Sequence, residues 1–302
     1  MAFKVMQIKY INNNTFFNGL PVGDVLDSTD FIQKNIEGKN VGIIKFKPFI
    51  DLDYVEIAFS TRLGGVSTDY SSSMNFAFDR GDLRENVLEN FRIFTKAINT
   101  TPSRCVYSKQ THTTNVLYVD ESNAGMGITK ERNFDNIDGL ITDKKNLCLV
   151  NSYADCVPLI FVDTKNKVIA ASHSGWRGTV GNITKNTLNK MYEKFGTKPK
   201  DVRTFIGPSI CMDCYEISTD VADEFKKAYS QKQWDKMLLD KHNGHFQLNL
   251  HIANYFNMVN SGISPENINV TNICTCCNPD LLFSHRASNG RRGVLCSFIY
   301  LK

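Results

Sequence analysis

Short apolar runs separated by polar turns dominate the chain and predict strands, with a few segments of helical period set between them. Residues 1 to 50 alternate such runs with turn sequences (Asn12-Asn13-Asn14, Gly38-Lys39-Asn40), which predicts strands joined as hairpins. Val55 to Ser60 reads as a strand by alternation. It leads into Thr61-Arg62-Leu63-Gly64-Gly65-Val66-Ser67, a loop whose paired glycines free the backbone beside an arginine. From Asp82 to Ile98, Leu83, Val87, Leu88, Phe91, Phe94 and Ala97 recur at helical spacing and predict an amphipathic packing helix.

Cys105 to Tyr107 is a short strand, which puts His112 at its end or in the loop that follows. Residues 120 to 135 read as a polar loop. Leu147 to Val150, Val157 to Val162 and Val168 to Ala171 are compact, largely β-branched runs and predict buried strands. The turn Thr164-Lys165-Asn166 makes the last two a hairpin. A helix is predicted after Gly178, with Val180, Ile183, Leu188, Met191, Tyr192 and Phe195 on its apolar face and Gly196 as its stop. Val202 to Ile206 and Val294 to Ile299 read as strands, and Thr219 to Tyr229 and Leu248 to Val259 as helices. No repeat, linker or low-complexity segment marks a boundary, so one α/β domain is the simplest organisation.

Composition changes this picture little. The 302 residues are 42% hydrophobic and 22% charged, ordinary for a globular protein, and the formal net charge is +4. The lysines and arginines are scattered, so nucleic acid is not an expected partner, whereas anionic small molecules are. No apolar run reaches the length of a membrane span and the N-terminus lacks a secretion signal, so no membrane partner and a cytoplasmic location are expected. Nine cysteines in such a chain predict free or metal-bound thiols rather than disulfides.

The chemistry concentrates between Ala154 and Gly178. The hairpin would bring Cys156, at the entrance of one strand, to His173, at the exit of the next. With His112 they form a set suited to Zn²⁺ with a fourth position open. The same residues also read as a thiol nucleophile with a histidine base oriented by Asp155, or simply as a buried thiol and satisfied imidazoles. Arg62 in its glycine-flanked loop and Arg177 at a helix start are anion-binding candidates. Trp176 reads better as core than as a stacking platform. Cys211/Cys214 and Cys274/Cys277 are two C-x-x-C pairs about 60 residues apart, too far for a zinc ribbon, and are expected to be isolated thiols. His242 and His245 read as a solvated loop.

Seven motifs in order resemble the YfiH-like family, also called the laccase-domain or polyphenol oxidase family, whose members include purine nucleoside phosphorylases. They are Ser60 to Ser67, Gln110-Thr111-His112, Asp138 to Thr142, Ala154 to Leu159, His173 to Gly178, Ile206 to Ile210 with Cys214-Tyr215-Glu216, and Phe283 to Arg286. The resemblance covers roughly residues 50 to 300. It implies a single-domain layered α/β sandwich with mixed β-sheets and 51–302 as the catalytic region; residues 1–50, which the pattern reads as strands and hairpins of the same domain, precede its first motif and have no functional reading. It further implies zinc on His112, Cys156 and His173, with copper as the alternative ion and Asp155 or Glu216 moving protons. Arg62, Asn75, Arg177 and Arg286 are the expected substrate contacts. The implied activities are phosphorolysis of adenosine, inosine, guanosine and S-methyl-5′-thioadenosine and deamination of adenosine, with nucleosides and phosphate as partners. Six histidines, two of them in a polar loop, are too few for a four-copper oxidase. The chain departs from the family after Arg286, where Ala287-Ser288-Asn289 and Arg291-Arg292-Gly293 replace its usual ending.

Overall fold

The alternation along the strands is explained by two sheets stacked face to face. The computed structural model describes residues 8–11 and 28–302; the turn expected at Asn12-Asn13-Asn14 lies outside the described residues. One six-stranded sheet runs β1 (Thr29–Ile36), β2 (Lys39–Phe46), β3 (Val55–Ser60), β15 (Leu295–Leu301), β7 (Cys148–Tyr153), β4 (Cys105–Tyr107). It is antiparallel except for the parallel β4–β7 pair. The other runs β14 (Ile268–Val270), β10 (Val202–Ile206), β8 (Val157–Asp163), β9 (Val168–Ser174), β6 (Gly139–Thr142), β5 (Val116–Tyr118). Its outer pairs, β10–β14 and β5–β6, are parallel and the inner ones antiparallel.

Successive residues of a strand face opposite ways, and the cores sort accordingly. Ile44, Phe59, Leu149 and Ile299 of the first sheet meet Leu140, Ile160, Ile169 and Phe205 of the second in the central core. Their neighbours Ile43, Ala58, Val150 and Phe298 face outward, under α1 (Arg84–Ala97), whose Phe91 and Phe94 pack on them. On the far side, Leu159, Phe161 and Ala170 lie under α2 (Trp176–Val180), α3 (Ile183–Phe195), α4 (Thr219–Ala228), α5 (Gln231–Met237) and α6 (Leu250–Asn260). The result is a layered α/β sandwich with mixed sheets. A third sheet, β11 (Glu216–Ser218), β13 (His245–Leu248), β12 (Leu238–Asp240), packs with the helical layer.

Several expectations are adjusted. Leu83 precedes α1 and is exposed, because the helix begins one residue later. Tyr192, expected on the apolar face of α3, is 64% exposed: that face is already filled by Ile183, Leu188 and Met191. The segment after His173 forms two helices, since Asn182 adopts a left-handed conformation between them and caps α3 by accepting the Lys185 amide.

Candidate metal centre

Three stretches that cross from one sheet to the other line a single cavity of about 410 Å³. The β4–β5 crossing carries His112, the β7–β8 crossing carries Asp155 and Cys156, and the β14–β15 crossing carries His285, Arg286 and Arg292. His173 comes from β9, paired with Pro158 of β8, and the hairpin between these strands is closed by Asp163, whose Oδ1 accepts the amides of Lys165 and Asn166 at 2.9 Å. Strand pairing thus holds His173 beside the start of β8, where Cys156 enters.

One carboxylate orients both histidines. Asp138 is completely buried, and its Oδ1 lies 2.8 Å from His173 Nδ1 while accepting the His112 amide at 3.1 Å. Its Oδ2 accepts the amides of Thr111 and Thr113 and the Thr113 hydroxyl, wrapping the His112 loop around it. His112, at φ 64°, turns its ring back to the hairpin. Its Nε2 stands 3.8 Å from Cys156 Sγ, and the two imidazoles meet edge to face at 5.0 Å between centroids. Donor atoms of His112, Cys156 and His173 all lie within 4.8 Å of one another.

The electrostatics favour a thiolate. Burial opposes ionisation of Cys156, but the charge of His173 and hydrogen bonds from His112 and His173 prevail and bring the thiol down to about 6. Conversely, burial disfavours the His173 cation, yet Cys156 and Asp138 together push it up to about 9. A compact space for an ion is visible at Gly175: a Cβ there would stand 2.8 Å from His112 Cδ2 and 3.1 Å from Cys156 Sγ. Two imidazoles, a thiolate and a carboxylate fixing the tautomer of one imidazole match the donor set of a catalytic zinc site.

The other expected residues divide. Asp155, Arg177 and Arg286 line the cavity. Asp155 accepts the Thr275 hydroxyl at 2.6 Å on one oxygen and the Arg286 amide at 2.8 Å on the other. The Arg177 guanidinium lies over the Trp176 ring at 4.3 Å on a five-residue helix, too short for a dipole to matter, so its anion-binding capacity is that of the side chain. Trp176 packs against the core on the helical side, as expected, and lines the cavity as well. Arg62 lies elsewhere: it donates to the carbonyls of Ser72 and Pro279 and covers Phe283. Asn75 is buried and accepts the amides of Ala77 and Val294, bracing the segment next to Arg292 from behind. Glu216 pairs with Lys241 and is not among the residues that line the cavity.

Sequence reasoning missed Asp138, Tyr215, His285 and Arg292. Arg292 is half-buried at the cavity wall with its Nε unpartnered, and burial lowers its basicity. His285 is held below the ordinary imidazole value by burial, then by Arg292 and Arg80. Asp138, Tyr215 and His285 were signalled only by membership in a motif, and Arg292 not even by that, since it lies in the ending where the chain departs from the family. The expectation of isolated thiols is also overturned: Cys211, Cys214, Cys274 and Cys277 bring their sulfurs within 4.8 Å of one another.

Residues 56–302 match the family model described as multi-copper polyphenol oxidoreductase laccase. The chain is 32% identical over 245 residues to a protein of Bacillus subtilis named purine nucleoside phosphorylase YlmD, covering 81% of this chain and 87% of that one. It is 31% identical to adenosine deaminase RL5 of an unknown prokaryotic organism, covering 81% and 94% respectively. The crystal structure of Bacillus licheniformis hypothetical protein YfiH superposes with a TM-score of 0.82 at 30% identity, covering 86% of this chain and 96% of that one.

Proposed function

The chain belongs to the multi-copper polyphenol oxidoreductase laccase family, and on that premise we propose that it is a zinc-dependent purine nucleoside phosphorylase with adenosine deaminase activity. The observation that carries this reading is the pairing, in one cavity, of the His112, Cys156 and His173 donors with the lining arginines Arg177, Arg286 and Arg292. Relatives named for both activities support it. Substrates are adenosine, inosine, guanosine and S-methyl-5′-thioadenosine with phosphate, and the site works in the cytoplasm.

Zinc held by His112, Cys156 and His173 supplies Lewis acidity when bound. The chain's own residues do the rest. The arginines lining the cavity hold phosphate, whose oxygen attacks C1′ of the ribose as the bond to the purine nitrogen breaks. Trp176 and Tyr215 offer ring faces to the base or sugar. Asp155 has two of its acceptor positions filled by Thr275 and Arg286, which leaves others for a ribose hydroxyl or a water. His285 lines the same cavity, its basicity lowered by burial and then by Arg292 and Arg80, and can relay a proton from water to the departing purine.

Adenosine should give adenine and ribose 1-phosphate only when phosphate is present, and inosine with or without it. Zinc-loaded protein that turns over no purine nucleoside overturns the proposal. A cysteine hydrolase using Cys156, His173 and Asp138 is favoured by the lowered Cys156 thiol, but it gives no role to the third donor, His112. Activity in metal-free protein would select it. Multicopper chemistry lacks ligands: His242 and His245 are exposed, and His251 is buried against Ser209. A single copper ion in place of zinc is decided by metal analysis.

A further inference from the structure

The two C-x-x-C pairs lie outside the three-donor centre, and the fold gives each a fixed approach. Cys211 and Cys214 follow β10, Cys274 and Cys277 follow β14, and these two strands are parallel neighbours that end side by side. The ladder continues past them through the Ser209–Cys274 bridge, with the Thr275 amide donating to the Ser209 carbonyl. Sequence separation therefore says nothing about their distance.

We propose that Cys211, Cys214, Cys274 and Cys277 bind one structural zinc ion. Four thiolates around zinc at about 2.3 Å form a tetrahedron with edges of about 3.8 Å. Cys277 Sγ stands 3.5 Å from Cys214 Sγ and 3.9 Å from Cys211 Sγ, and every sulfur is within 4.8 Å of the others. That span suits a single ion rather than an iron–sulfur cluster, which spreads its four thiolates over two or four irons and so sets them further apart. Backbone amides supply the outer shell: those of Cys211 and Cys277 donate to Cys274 Sγ at 3.2 and 3.4 Å, which favours a thiolate. Four protein ligands leave no open position, so the ion is structural. The five remaining cysteines do not join it: Cys105, Cys148 and Cys296 are buried in the core under α1, Cys156 belongs to the other centre, and Cys276 is outside the group of four whose sulfurs converge and packs against the core on the helical side.

This ion would brace the cavity wall. Thr275, between Cys274 and Cys277, donates its hydroxyl to Asp155, and Arg286 donates to the carbonyls of Cys214 and Glu216. Losing the ion frees both loops and with them the carboxylate and guanidinium that face substrate.

Metal analysis of reduced full-length protein tests this, comparing wild type with Cys156→Ser, Cys277→Ser and the double variant. Each single variant should lose one equivalent of zinc and the double variant both. Because the two centres are removed separately, failure of the His112, Cys156 and His173 assignment leaves the result at the cysteine cluster intact. Cobalt substituted into Cys156→Ser should give thiolate charge-transfer and tetrahedral d–d absorption, and Cys214→His, which keeps four ligands, should retain the metal even where Cys277→Ser folds poorly. A Cys156→Ser protein free of metal, iron in place of zinc, or an intact mass showing disulfides among these four cysteines in freshly reduced protein would each overturn the proposal.

Discussion

Asp138 is the residue on which the site's electrostatics turn, because it touches the His112 loop and His173 at once. In metal-free protein, His173 carries its proton up to about 9 while Cys156 loses its own at about 6, so a thiolate–imidazolium pair exists between those values. Alkylation of Cys156 with iodoacetamide, followed by peptide mass mapping, should therefore rise with a midpoint near pH 6 rather than near the ordinary thiol value. Asp138→Asn weakens the His173 cation and should move that midpoint upward, while lowering zinc affinity about 10–100-fold. An unchanged midpoint would show that the histidine charge does not control the thiol. Gly175 makes a second, steric test. Its backbone at φ −73° suits any residue, so Gly175→Ala acts only through the Cβ that would meet His112 and Cys156. Zinc content should fall with melting temperature nearly unchanged. Cys156, His173 and His112 were legible in the sequence because thiol and imidazole have few roles and the strand pattern put two of them together. Asp138 and Arg292 were not, since a carboxylate or guanidinium declares itself only through what surrounds it. Arg62 is placed away from the cavity for the same reason: its Nε and Nη1 donate to the carbonyls of Ser72 and Pro279, which no local pattern announces.

At the scale of elements, the short helix α2 presents Trp176 and Arg177 to the cavity, and five residues cannot hold a helix by themselves. Polar contacts with α6 secure it. Asn254, fully buried, accepts the Ser174 hydroxyl at 2.9 Å and donates to Thr179 Oγ1 at 3.2 Å, while Asn257 donates to the Thr179 carbonyl at 2.8 Å. Asn254→Ala strands buried hydroxyls and should cost about 1–3 kcal/mol, or roughly 2–4 °C of melting temperature per kcal/mol in a chain of this size. Since Arg177 rides on α2, KM for phosphate should rise more than kcat falls; equal effects on both would argue that α2 is merely packing. Long elements were readable beforehand. β7, β8 and β9 are buried on both faces and so appear as unbroken apolar runs, and α1 and α3 keep a helical period over several turns. The small sheet of β11, β12 and β13 was not, because strands of three or four residues with exposed positions carry too little pattern to register.

For the whole molecule, the question is whether the ion at His112, Cys156 and His173 serves chemistry or holds the sandwich together. Each ligand is already fixed by something other than metal. His173 lies within a strand paired on both sides, Cys156 enters the hairpin partner of that strand, and the His112 loop is tied to Asp138 by three amides and a hydroxyl. One hydrophobic core fills the space between the two sheets and another lies outside each, and His112, Cys156 and His173 belong to none of them. These crossings between sheets are long-range pairings invisible in one sequence, which is why the layers, unlike the strands, could be expected only through resemblance. Because the frame preexists, Cys156→Ser should keep its far-UV circular dichroism and melt within a few degrees of the wild type while losing one zinc and nucleoside turnover. A binding module that uses this zinc to fold behaves oppositely, since metal binding and folding are then one event. Unfolding of Cys156→Ser under conditions where wild type is native would assign the ion to structure and remove the ground for an enzyme at this cavity.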